Sequence, residues 1–165
     1  MAALVCGLSG CRGKSSMHIP AVGNFDLEKY LGKWYEVCRL PNFFEEGMRD
    51  VHALYSVGKN GSIKVVNRGV KNGKIKTVCG TARVCGSSGT GELEVSFFRP
   101  FYSRYRIIKL APDYSWAVVT GSDMKYLWVL SRTPDIDGKS FQELYDFLKK
   151  QGYPVENFIY PQRRF

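Results

Sequence analysis

Few side chains in this sequence have the types and spacing that reaction chemistry needs. Only two histidines occur, His18 and His52, and an imidazole works as a base only with a partner within hydrogen-bond reach. His18 stands near the N-terminus, and His52 reads as an outward-facing strand residue. The cysteines are Cys6, Cys11, Cys38, Cys79 and Cys85. None has the Cys-x-x-Cys spacing of zinc or dithiol redox sites. Cys79 and Cys85 are joined by too much extended chain, about 20 Å, to bridge unless a turn intervenes. The one conceivable nucleophile–base pair is Cys38 with His52. Glu36 shares strand alternation with Trp34 and is expected to point inwards, as a ligand contact or a satisfied buried acid. This inventory predicts a binding protein rather than an enzyme, with no metal and no cofactor.

These residues must be positioned by a single domain, since the chain has 165 residues. Hydrophobic residues make up 44% of it, enough for a true core, so general disorder is excluded. No apolar run approaches the roughly 18 residues of a membrane-spanning helix. A formal net charge of +9 asks for an acidic partner: nucleic acid, an anionic membrane or acidic ligands. No nucleic-acid-binding motif accompanies it and the basic residues are scattered, so nucleic acid is not expected.

Strand-like runs recur at 33–40, 50–58, 62–70, 74–84, 92–98, 104–110, 115–121 and 125–132. Turn signals such as Asn60-Gly61, Asn72-Gly73 and Pro112-Asp113 separate them. Evenly spaced strands joined by tight turns predict an all-β fold. The expected form is an eight-stranded antiparallel up-and-down barrel, whose closure removes exposed edges. Phe141, Leu144, Tyr145 and Leu148 follow helical spacing instead. Ser140 with Glu143 reads as a capping box, so one C-terminal helix, about 139–151, should pack on the outside of the barrel. A short ninth strand is expected at 157–160.

Alternation assigns the interior. The second strand points Val51, Ala53, Tyr55 and Val57 inwards, and the third Val65, Asn67 and Gly69. The fifth contributes Leu93, Val95 and Phe97, the sixth Tyr105 and Ile107, and the eighth Tyr126, Trp128 and Leu130. Together with Glu36 these, apart from Val57 and Gly69, are the candidate ligand-binding residues. Lys64, Arg68, Glu92, Glu94, Ser96, Arg106, Lys125 and Ser131 fall on the outer face. So do Leu54, Ile108 and Leu127, some of which the helix could cover. From the residues alone, the inward set could either fill the barrel or line a cavity.

Three motifs then appear in order: Gly32-Lys33-Trp34 entering the first strand, Pro112-Asp113-Tyr114 between the sixth and seventh, and Arg132 ending the eighth. Gly32 permits a tight entry, Trp34 offers a plate to close one end, and Arg132 can stack on its indole. With 95–102 (VSFFRPFY) and 126–134 (YLWVLSRTP), this pattern resembles the lipocalin family. Within the family it is similar to the bacterial outer-membrane branch, apolipoprotein D and the plant temperature-induced lipocalins. The resemblance implies the lipocalin calyx, with Gly32, Trp34, Asp113, Tyr114 and Arg132 as structural residues at its closed end. It implies a cavity for fatty acids or lysophospholipids, the alternatives being a retinoid, sterol, bilin or haem, and it implies a possible homodimer. The catalytic cysteine of the family's prostaglandin synthase lies on the second strand, where this chain has none.

The stretch Leu8-Ser9-Gly10-Cys11 resembles the lipobox of bacterial lipoproteins, which implies lipid attachment at Cys11 and anchorage at the outer membrane. Residues 1–23 are then a signal remnant and flexible tether, and 24–165 the barrel domain. Aromatics with basic neighbours recur in two loops. Phe43 and Phe44 follow Pro41, and Arg99, Arg104 and Arg106 surround the segment 98–103. Such loops suit contact with a membrane or lipid headgroup, a dimer contact, or local packing.

Overall fold

The computed structural model describes residues 19–162. Cys11 and the lipobox lie outside them. Eight antiparallel strands follow one another in sequence order. They are β1 (Gly32–Arg39), β2 (Arg49–Val57), β3 (Ile63–Lys71), β4 (Lys74–Val84), β5 (Glu92–Phe98), β6 (Phe101–Leu110), β7 (Trp116–Thr120) and β8 (Leu127–Ser131). β1 pairs with both β2 and β8, so the sheet closes into a barrel with no open edge. The expected hairpin chemistry holds at the β3–β4 turn, where Asn72 and Gly73 adopt φ of 52° and 71°. A one-turn helix, α1 (Leu27–Tyr30), precedes β1, and α2 (Gly138–Lys150) follows β8.

Two apolar cores result from strand alternation. One fills the lower barrel with Trp34, Val65, Leu93, Ile107, Val119 and their neighbours. The other lies outside, where Cys38, Ile108, Val118, Leu127 and Val129 meet Leu144 and Leu148 of α2. Ile108 and Leu127 are thus covered as anticipated, whereas Leu54 stays exposed. Chain direction gives the barrel its polarity. The β1–β2, β3–β4, β5–β6 and β7–β8 connections ring one end, and α1 with the other connections closes the opposite end.

Several expectations need correction. Asp137, not Ser140, caps α2, its carboxylate accepting the Ser140 N–H at 2.9 Å; an acceptor one turn earlier lets the helix start at Gly138. The ninth strand reduces to a single bridge between Arg39 and Ile159, with N–H···O distances of 3.0 and 2.9 Å. Residues Val155–Asn157 form a 3-10 turn instead, and Pro154 and Pro161, which lack an N–H, bound any longer ladder. β6 begins at Phe101 rather than at 104, because Phe98 pairs with Phe101 across a tight hairpin. Val57 is exposed: β1 starts opposite Tyr55, so beyond that point β2 is flanked by β3 alone.

Three residues assigned to the solvent face are buried: Ser96, Arg106 and Ser131. Arg106 donates to the Ile19 carbonyl at 3.1 Å. The N-terminal strip covers this part of the wall, with the Val22 N–H on the Ile107 carbonyl and the Gly91 N–H on the Val22 carbonyl, each at 2.9 Å. Ser131 lies under the chain that leaves β8, its hydroxyl 3.3 Å from that of Thr133. Ser96 stands opposite Thr81.

Candidate functional site

The closed end is built around Trp34, which is fully buried. Its indole N–H donates to the Tyr30 carbonyl at 2.8 Å. The Arg132 guanidinium stacks 3.8 Å from the indole ring centre. Its N–H groups reach the carbonyls of Lys29, Lys33 and Tyr114 at 2.6, 3.0 and 3.3 Å, tying α1, β1 and the β6–β7 turn together. Gly32 sits at φ 101°, and a Cβ there would come within 3.2 Å of the guanidinium. The Tyr114 hydroxyl accepts the Asp26 N–H at 2.8 Å, and the Asp113 carboxylate accepts the Ser115 N–H at 3.0 Å. These contacts join one part of the chain to another and tie the closed end of the barrel together.

Above this plate three tyrosine hydroxyls meet inside the barrel. Tyr55 donates to Tyr105 at 3.0 Å, and the Tyr30 and Tyr105 hydroxyls lie 2.6 Å apart. Burial pushes Tyr55 up to about 12 and holds Tyr30 and Tyr105 well above the usual phenol range, so all three remain neutral hydrogen-bonding groups.

Nearer the open end the lumen wall carries charge. A bulge in β1 between Glu36 and Cys38 shifts its pairing with β8. Glu36 keeps the inward face of Trp34, and the bulge brings Arg39 into the barrel as well, while Cys38 goes to the outer core beneath α2. The buried Arg39 donates to the Glu36 carboxylate at 2.5 Å and to the Glu45 carbonyl at 2.6 Å. The Glu45 carboxylate accepts the Trp128 indole N–H at 2.9 Å and the Asn42 amide at 2.7 Å, and lies 3.8 Å from Arg39 Nε. Phe44 stacks on Tyr126, and Tyr126 on Trp128, with ring centres 6.0 and 6.1 Å apart. The β1–β2 loop is therefore latched across the lumen wall through Glu45. Burial, and then the neighbouring Glu45 carboxylate, raise Glu36 from 4.5 to about 8 in spite of Arg39.

Asn67, Phe97, Tyr105 and Trp128 face inwards yet stay partly exposed. Solvent therefore enters the upper lumen, while the lower barrel is packed. Asn67 Oδ1 is buried with no hydrogen-bond partner among the described residues. The Cys38–His52 pair does not assemble: the register sets His52 opposite Tyr35 and Cys38 opposite Val129.

The sequence over 25–163 matches the lipocalin-like domain family. The chain belongs to the lipocalin family. This lipocalin is 41% identical over 160 residues to the outer membrane lipoprotein Blc of Vibrio cholerae, covering 95% of this chain and 93% of that protein. It is 40% identical to Blc of Escherichia coli K12 over 147 residues, covering 88% and 83% respectively. Mouse apolipoprotein D is 31% identical over 149 residues, covering 83% and 76%. Insecticyanin from Manduca sexta shares the fold with a TM-score of 0.74 at 19% identity, covering 91% of this chain and 87% of that one.

The barrel brings together most of the residues assigned to its interior. Val51, Ala53, Tyr55, Val65, Leu93, Val95, Ile107, Leu130 and Glu36 are buried, and Tyr126 stands at the rim just before β8. Sequence reasoning missed Arg39, Glu45, Asn42 and Tyr30. Strict alternation from Trp34 sends Arg39 outwards, and no glycine or proline marks the bulge that reverses it. The available signal was two acids and an arginine, Glu36, Arg39 and Glu45, within ten residues of one another.

Proposed function

We propose that this lipocalin binds and carries a single-chain lipid, a fatty acid or lysophospholipid, in its barrel. The observation that carries the proposal is the amphipathic lumen, in which apolar walls rise to the linked side chains of Glu36, Arg39, Glu45 and Trp128 and, separately, to the open acceptor of Asn67. Such a lining matches a long hydrocarbon with a polar end. Each buried methylene contributes about 0.8 kcal/mol, so a chain needs no covalent bond to be held. The names of the bacterial relatives support a site of action at a bacterial outer membrane, with Cys11 as the point of lipid attachment. Carriage without turnover is part of the proposal.

The test is an equilibrium titration of purified protein with a sixteen-carbon lysophospholipid and with palmitate, followed by tryptophan fluorescence. Saturable one-to-one binding, weakened by Trp128→Ala, is expected. No uptake of either lipid would overturn the reading.

A further inference from the structure

Five large apolar side chains stand exposed at one end of the molecule: Phe43, Phe44, Ile75, Phe98 and Phe101, between 37% and 74% accessible. They come from three separate hairpins, and all three belong to the ring of connections around the open end. Phe43 and Phe44 sit edge to face on the β1–β2 loop, ring centres 5.4 Å apart. Phe98 and Phe101 stack at 6.4 Å, their planes only 4° apart, across the β5–β6 hairpin. Ile75 stands beside the β3–β4 turn. The fold leaves these five side chains in water.

The same rim is basic. Lys74, Lys76, Arg99 and Lys125 are exposed there, and Lys71 is half-buried. The acids at this end are Glu46 and Asp123, both exposed, and Asp50, half-buried, whereas Glu45 is held by Arg39, Asn42 and Trp128. Apolar rings ringed by lysine and arginine are the composition that enters the headgroup layer of an anionic bilayer. A protein partner would more commonly be met by a dry, charge-poor centre.

We propose that the open end docks mouth-down on an anionic bilayer, independently of any N-terminal anchor. The three hairpins insert their apolar side chains at the interface and place the lumen entrance against the lipid. The docking deepens the carrier reading, since a lipid then passes from bilayer to lumen without crossing water, but it is measured separately.

The experiment uses the full chain carrying Cys11→Ser, so that no acyl anchor contributes. Flotation is measured with vesicles of phosphatidylglycerol and phosphatidylethanolamine, and with phosphatidylcholine vesicles. Binding to the anionic vesicles is expected, weakened by salt. Phe98→Ser/Phe101→Ser should weaken it roughly tenfold, and Lys74→Glu/Lys76→Glu comparably. Leu54→Ser/Val57→Ser, on exposed positions away from the rim, should leave it unchanged. No flotation with anionic vesicles, or equal flotation of the rim and control variants, overturns the proposal. So does a dimer in sedimentation that Phe98→Ser/Phe101→Ser dissociates without any vesicle binding, because the rings would then serve a second copy. Lysophospholipid titration of each variant in solution separates the two claims. Intact titration with lost flotation in the original chain refutes docking alone, and intact flotation with no titration refutes the carrier reading alone.

Discussion

Replacing Glu36 by Gln removes the titration of the buried cluster while keeping a carbonyl oxygen for Arg39. Glu36 is only 3% exposed, and its carboxyl is raised from 4.5 to about 8 by burial and by Glu45. A carboxyl with a raised folded-state value holds its proton more tightly in the folded chain. Below the unfolded value, near 4.5, both states are protonated and Glu36 costs nothing. As the pH rises from there towards 8, the unfolded chain gains by ionising and the folded one does not, so stability is lost. The loss accrues at about 1.4 kcal/mol per pH unit, which amounts to a few kcal/mol across the window. Urea unfolding of both chains at pH 4.5, 6 and 8 isolates this group, since all other titrations are shared. The variant should match the original chain closely at pH 4.5, relative to the gap at pH 8, and be clearly the more stable at pH 8. A stability difference that stays constant with pH would refute the reasoning, and one that favours the original chain increasingly at high pH would reverse it.

Other predictions follow from the same geometry. Arg132→Met removes three chain-to-chain hydrogen bonds and the stack on Trp34; it should cost roughly 2–4 kcal/mol, read as a fall in melting temperature. Tyr105→Phe leaves the hydroxyls of Tyr30 and Tyr55 without their shared partner and should cost about 1–3 kcal/mol in urea unfolding. Asn67→Leu removes the open acceptor in the lumen. It should weaken lysophospholipid, which carries a glycerol hydroxyl, about tenfold and leave palmitate nearly unchanged in calorimetric titration.

The barrel was legible because its signals are local. Tight turns, period-two alternation and the Gly32, Trp34 and Arg132 spacing each act within a few residues, and the covering of Ile108 and Leu127 followed from the one helical periodicity. The charged half of the site was not legible. Arg39 enters the lumen only because β1 bulges between Glu36 and Cys38, and that shift is set by how β1 closes against β8, ninety residues away in the chain. Arg106 was misplaced for a related reason: alternation tells which face a side chain takes, but not that the strip around Ile19 and Val22 will lie across it. Asp137 took the place of Ser140 as the cap because two acceptors stood one turn apart, and both fit a helix that begins near 138.

The central claim, one lipid in one barrel, is tested most directly by native mass spectrometry of the full chain after detergent-free purification. The account predicts a barrel carrying one added mass in the range of a fatty acid or lysophospholipid, released on collisional activation and identified in the extract. A chain that is bare as purified, and still bare after incubation with excess lysophospholipid and palmitate, would contradict it.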